Sequence, residues 1–210
     1  MNNREYFNSM AEKWDCTVNH DEKKIRLILE HVRIKEGSEV LDVGTGTGVM
    51  LPFLHSCVGN TGTITAVDAA EKMIDIAKNK FSFENVEFIV GDVLETELPK
   101  ERADCIMCYS VFPHFSEKKV AVRKLARYLK KGGIFIICHS QSREAINNLH
   151  KEVSGTVKND RLPTAEKIKE YYNNAAIETI SVVDNNDMFV VIGRKILKNY
   201  NEEPKCPPPL

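Results

Sequence analysis

No stretch of this sequence is long and apolar enough to cross a bilayer; its longest apolar runs are strand-sized, short of the roughly 20 residues a spanning helix needs. The opening residues, Met1-Asn-Asn-Arg-Glu-Tyr6, lack the apolar core of a secretory signal, so a cytoplasmic protein is expected. An excess of one charge is missing too. With 29 basic and 30 acidic residues there is no global field to gather nucleic acid or an anionic membrane surface, which favours a small-molecule partner. Oligomeric state leaves no mark in the sequence. The six cysteines are scattered rather than set in a disulfide framework, and free thiols in a reducing compartment are the expectation. Cys105 and Cys108 have the Cys-x-x-Cys spacing of redox and zinc sites. They lie inside the apolar run Ala103 to Val111, however, where positions three apart on a strand point to opposite faces.

What is present is a chain of 210 residues, 42% of them hydrophobic, enough for one well-buried core and short for two. A single domain over 1–197 is expected, followed by a polar, proline-rich and disordered tail at 198–210. Its most informative stretch is Glu39-Val-Leu-Asp42-Val-Gly44-Thr45-Gly46-Thr-Gly48, a short apolar run that breaks into three alternating glycines. Glycines at such a turn permit positive φ and let a ligand approach the backbone, although a tight strand-to-helix connection would use them equally well. The run Gly62 to Asp68 then ends in a carboxylate about 20 residues on, where a nucleotide-binding βαβ unit places its ribose-binding acid. Asp68 with Glu71 also reads as a helix capping box, a competing structural use of the same side chain.

On these residues the sequence resembles the class I S-adenosylmethionine-dependent methyltransferases of small-molecule type, over about residues 4 to 194 by element order. The resemblance implies an α/β fold, a Rossmann-like seven-stranded, mostly parallel sheet with an antiparallel C-terminal hairpin strand and helices on both faces. It also implies S-adenosyl-L-methionine as cofactor. Asp42, Gly44, Thr45, Gly46 and Gly48 match the family's opening motif, Asp68 with Ala69 its ribose-binding segment, and Met73 the residue that packs on adenine. Gly91, Asp92 and Val93 match the turn that meets the adenine amino group, and Cys108 with Tyr109 the passage beside the methionine moiety.

The chain in order supports that reading. Asn2 to Asp15 has Tyr6, Phe7, Met10 and Trp14 at helical spacing and resembles the family's N-terminal cover, which implies that Tyr6 and Trp14 line the cofactor site. Asn19, with Glu22 three residues on, is the expected cap of a second cover helix within 1–35. Helices are expected over Val49 to Cys57 and Ala70 to Lys80, and strands over Val86 to Val90 and Ala103 to Ser110. A helix from Ser116 to Lys130 should stop at Lys130-Lys-Gly-Gly133 before the strand Ile134 to Cys138. Ser142 to Val153 reads as an added helix in a lid or acceptor-binding segment, 139–163, and Ala165 to Ala176 as the next one. The runs Ile177 to Val183 and Met188 to Gly193 flank a polar turn and form a hairpin.

Methyl transfer from a sulfonium needs alignment and exclusion of water, and a base only for acceptors that must lose a proton. His139, His114 and His150 are the catalytic candidates in that order, because imidazole titrates near neutrality and His139 sits at a strand end. The three could instead hold a metal, but their separation is not a familiar ligand spacing, and no metal is expected. The family's Asn/Asp-Pro-Pro-Tyr/Phe signature is absent after the fourth strand. Two rivals remain: an NAD(P)-dependent oxidoreductase, disfavoured by the terminal hairpin and the glycine spacing, and a protein that binds S-adenosylmethionine without catalysis.

Overall fold

Alternating β and α patterns from Glu39 onward build a parallel sheet, because each apolar strand is buried on both faces and needs a covering helix on its way to the next. A computed structural model describes residues 2–153 and 155–196; the tail expected at 198–210 lies outside the described residues. The strands are β1 (Glu39–Val43), β2 (Thr63–Asp68), β3 (Val86–Val90), β4 (Ala103–Tyr109), β5 (Leu129–His139), β6 (Ile177–Asp184) and β7 (Phe189–Lys195). Their order is β3-β2-β1-β4-β5-β7-β6. The first five are parallel, while β7 runs antiparallel to both β5 and β6. The sheet is therefore of the expected class, with the hairpin strand inserted beside β5.

Helices α1 (Asn3–Met10), α2 (Trp14–Thr17) and α3 (Glu22–Val32) precede the sheet. Between strands run α4 (Leu51–Val58), α5 (Glu71–Lys80), α6 (Lys118–Tyr128), α7 (Arg143–Glu152) and α8 (Ala165–Asn173). Two apolar layers enclose the sheet. On one face Leu41, Val43, Ile106, Cys108 and Phe135 meet α6 and α8; on the other Val40, Cys105, Met107 and Ile136 meet α3 and α4. Cys105 and Cys108 thus face opposite layers, and burial pushes both thiols well above their ordinary pKa, which suits packing rather than redox chemistry. Tyr172 of α8 is fully buried and donates its hydroxyl hydrogen to the carbonyls of Phe135 and Val191, bridging β5 and β7.

Three sequence expectations change at element ends. The cap of α3 is Asp21, whose carboxylate accepts from the amides of Lys23 and Lys24; Asn19 does not cap it. A cap of this kind contributes about 1 kcal/mol, and it forms at Asp21 because Asn19 belongs to the chain that is still lining the cavity. The segment Lys130 to Gly133 is not a turn before the strand but part of β5. Ala103 pairs with Leu129 whereas Cys105 pairs with Ile134, so the surplus residues bulge with Gly132 at φ +76°. Finally, the first helix breaks at Met10 into a tight turn, Ala11–Lys13, before α2.

Candidate active site

Parallel strands deliver their carboxyl ends to one edge, and the crevice opens where chain order reverses, here between β1 and β4. A cavity of about 820 Å³ lies at that edge. It is floored by the glycine loop after β1 and walled by the ends of β2 to β5. The N-terminal segment and α7 complete its lining.

The glycine loop is tied down at several points. Gly44 and Thr45 donate their amides to the Val67 carbonyl, and the Thr45 hydroxyl donates to Asp42 at 2.7 Å. Asp42 itself is buried beneath the loop. Burial, offset in part by Thr45, pushes its carboxyl up to about 7, so it shapes the loop from behind rather than facing the cavity. Asp68 does face the cavity. One carboxylate oxygen accepts the Gly46 amide at 2.9 Å and the other the Ala70 amide at 2.8 Å, joining loop to helix start. Burial raises its pKa against the pull of those two amides. The reciprocal capping box with Glu71 is not formed, since the Glu71 carboxylate bonds Arg4 and Asn8 of α1 instead.

Most of the expected cofactor residues do line the cavity: Gly44, Thr45, Gly46, Asp68, Ala69 and Met73, then Gly91, Asp92 and Val93, and beyond them Tyr109 and Trp14. Four do not. Besides Asp42, Gly48 packs under Phe81 and Leu51, Cys108 points into the core layer beneath α6 and α8, and Tyr6, half-buried beside Gly155, packs nearly perpendicular to Phe7 with 5.3 Å between ring centres. Phe7 takes the inward position expected of Tyr6, because a helical turn places neighbours about 100° apart.

All three candidate histidines reach the cavity. His114 and His150 stand 5.1 Å apart, ring to ring. The His114 Nδ1 bonds the Asp160 carboxylate at 2.6 Å, and the His150 Nδ1 bonds the Asp160 carbonyl at 3.0 Å. Carbonyls and carboxylates only accept, so each ring carries its proton on Nδ1. Burial lowers the pKa of His150. His139 is 1% exposed, and neither of its ring nitrogens has a partner among the described residues. Burial, then the neighbouring His114 and His150, push it down to about 3. So weakly basic a ring is a poor proton acceptor, which counts against the leading place given to His139. Among the described residues no group of three His, Cys, Asp or Glu side chains is arranged to hold a metal ion.

The folded pKa of His139 lies below its ordinary unfolded value, so the neutral ring favours folding above about pH 6.5, and that contribution is lost as pH falls towards 3. Relative to wild type, His139→Asn is expected to gain about 2 kcal/mol on going from about pH 7.5 to about pH 5, read by urea unfolding. A constant gap between the two proteins would mean that His139 is not held neutral.

Several lining residues carry no signal in the sequence. His20 meets the Tyr109 hydroxyl at 3.1 Å, and that hydroxyl meets Ser140 at 2.8 Å, a chain across the cavity wall in which burial pushes Tyr109 up to about 12. Ser140 could have been suspected, as it follows His139 at a strand end. His20 and Asp160 are joined to the site only through tertiary contact.

Known proteins bear on this site in two ways. Among solved structures, a SAM-dependent methyltransferase from Aquifex aeolicus superposes with a TM-score of 0.69 at 24% identity, covering 93% of this chain and all of that one. A methyltransferase of Haloferax volcanii in complex with the Trm112 activator gives 0.75 at 18% identity, covering 92% and 97%. These likenesses establish the fold. Among curated proteins, the demethylmenaquinone methyltransferase of Staphylococcus aureus is 27% identical over 146 residues, 67% of this chain. The match spans 60% of that relative's length. The methyltransferase domain model matches residues 34–201, from the end of α3 through the terminal hairpin, and the chain belongs to that methyltransferase domain family.

Proposed function

We propose that the protein transfers a methyl group from S-adenosylmethionine to a small, uncharged acceptor. The observation that carries this reading is the Asp68 carboxylate, which faces the cavity while bonded to both the Gly46 and Ala70 amides at the switch point of the sheet. The residues present fit such a cofactor. A Cβ built on Gly46 meets nothing within 4 Å, so the loop leaves open space against its backbone. Asp68 would hold the ribose hydroxyls, Met73 with Asp92 and Val93 the adenine, and Gly44 with Tyr109 the methionine portion, as the family resemblance implies. When bound, the cofactor supplies an activated methyl group. The chain's task is then to align the acceptor and to keep water out, which Phe7 and Trp14 support by packing over Ala70 and Met73.

The names of the relatives support methyl transfer, and that of the staphylococcal protein supports a small-molecule acceptor. The described cysteines are free thiols and three of them are buried, which supports a reducing, cytoplasmic setting. No helix among the described residues is long and apolar enough to cross a membrane. Calorimetric titration with S-adenosylhomocysteine beside NADH tests the reading. Selective binding of the first is expected, and binding of NADH alone would return the oxidoreductase.

A further inference from the structure

We propose that the histidine-lined end of the cavity is an acceptor subsite for an uncharged molecule carrying an acidic hydroxyl, phenolic or enolic, with His114 as the proton acceptor and Asp160 as the residue that positions it. This rests on the methyl-transfer reading and specifies its substrate class.

The His114 ring is held from every side but one. Its Nδ1–H is fixed on Asp160 Oδ2, which also accepts from the side chain of Asn3, and its edge meets Phe7 at 4.9 Å between ring centres. Its turn, Phe112–His114, is pinned by the Lys118 ammonium, which donates to the carbonyls of Pro113 and Phe115. Asp160 is fixed in turn. Asn147 of α7 bonds Leu162 through both its amide oxygen and its amide nitrogen, and His150 bonds the Asp160 carbonyl. What remains is the His114 Nε2 lone pair, without a partner among the described residues, on a ring that lines the cavity. A carboxylate that fixes the tautomer of an imidazole and faces the imidazolium it becomes is the arrangement of a general base.

His139 supplies the independent observation. A neutral imidazole offers one donor and one acceptor, and leaving both unmet in a buried position costs free energy. Both nitrogens are buried without partners, at the same cavity. A ligand hydroxyl, which can donate to the bare nitrogen or accept from the N–H, would meet one of those two needs. Around these rings stand Phe7, Phe115, Ile146 and Leu149, an apolar setting for the body of such a molecule. Among the described residues lining the cavity the one Lys or Arg is Arg4, paired with Glu71 of α5; Arg161, bonded to the Asp160 carbonyl, and Lys118 stand behind the histidine end, so a permanently anionic acceptor would meet no Lys or Arg in the cavity wall there.

The step is a proton transfer. The O–H bond of the acceptor breaks, its electron pair stays on oxygen, and the proton forms an N–H bond at His114 Nε2. The resulting imidazolium faces Asp160, and the proton leaves to solvent after turnover. A neutral amine or a thiolate would need no such base.

The probe is 4-nitrophenol, whose ionised form is yellow, titrated into the full chain saturated with S-adenosylhomocysteine; 4-nitroaniline, of similar shape but without the acidic hydroxyl, is the control. Wild type is expected to bind 4-nitrophenol as the phenolate. Asp160→Asn should lower both affinity and ionised fraction at least tenfold, Asp160→Glu should restore part of each, and affinity for 4-nitroaniline and S-adenosylhomocysteine should stay unchanged. Retained S-adenosylhomocysteine affinity reports folding; if Asp160→Asn does not fold, His114→Gln carries the test with the same expectation. No binding of 4-nitrophenol, binding in its neutral form, or ionisation indifferent to both variants would overturn the inference alone. Failure of wild type to bind S-adenosylhomocysteine would overturn the methyl-transfer reading and this inference with it.

Discussion

Asp68→Ala is expected to weaken S-adenosylhomocysteine binding about a hundredfold, close to 3 kcal/mol. The side chain has two tasks in one place. Its oxygens hold the Gly46 and Ala70 amides at 2.9 and 2.8 Å, and it faces the cavity where a ribose diol would lie. Removing it leaves two amides without their acceptor, each worth about 1–3 kcal/mol when buried, and frees the loop to leave the conformation that meets the ligand. The ribose contact is lost on top of that. Asp68→Asn should be nearly as damaging, because one of its two positions then presents an NH₂ to an amide donor. Calorimetry on folded variants decides the matter. Unchanged affinity would reduce Asp68 to a structural tie between loop and helix.

The double use of Asp68 also shows what a sequence can and cannot disclose. From spacing alone, the ribose role and a capping box with Glu71 compete for one carboxylate, and the position beyond a parallel strand's carboxyl end favours the ribose role. In three dimensions the carboxylate serves the loop and the helix start together and still faces the cavity, while Glu71 is taken by Arg4 and Asn8 from a segment more than 60 residues away. Strand positions were readable because a parallel strand is a short apolar run bounded by Gly, Asp or Asn. Val86–Val90 matches residue for residue, and the terminal hairpin follows the same logic. The cap at Asp21 was not readable, since Asn19 and Asp21 are comparable caps and the choice depends on where the preceding residues go. The three histidines at the cavity were candidates from the sequence, but the Asp160 that joins two of them was not. Asp160 sits in a stretch without periodicity, 46 residues from His114 and 10 from His150, and only the packing of α7 against that stretch unites them.

The glycines of the loop should separate stability from binding. Gly44 has φ +68°, and a Cβ built on it falls 2.6 Å from the Val111 Cβ, far inside contact distance. Val111 is held there by the end of β4, where Ser110 takes a left-handed φ of +57° and its amide is tied to the Cys138 carbonyl at 2.9 Å. Neither side can yield cheaply. The left-handed conformation costs a non-glycine residue about 1 kcal/mol and the forced repacking about 1–3 kcal/mol more, so Gly44→Ala is expected to lose about 3 kcal/mol of stability. In a chain of this size that is a fall in Tm of about 6–12 °C. Gly46 has φ +56°, yet its Cβ would meet no protein atom within 4 Å, because it would project into open space at the cavity. Gly46→Ala should therefore cost only about 1 kcal/mol of stability while weakening S-adenosylhomocysteine at least tenfold, as the added methyl takes ligand space. Thermal melts and calorimetry on the pair check both expectations. If the two variants lost stability and affinity in the same proportion, the loop would be a single structural unit and Gly46 would have no ligand to make room for.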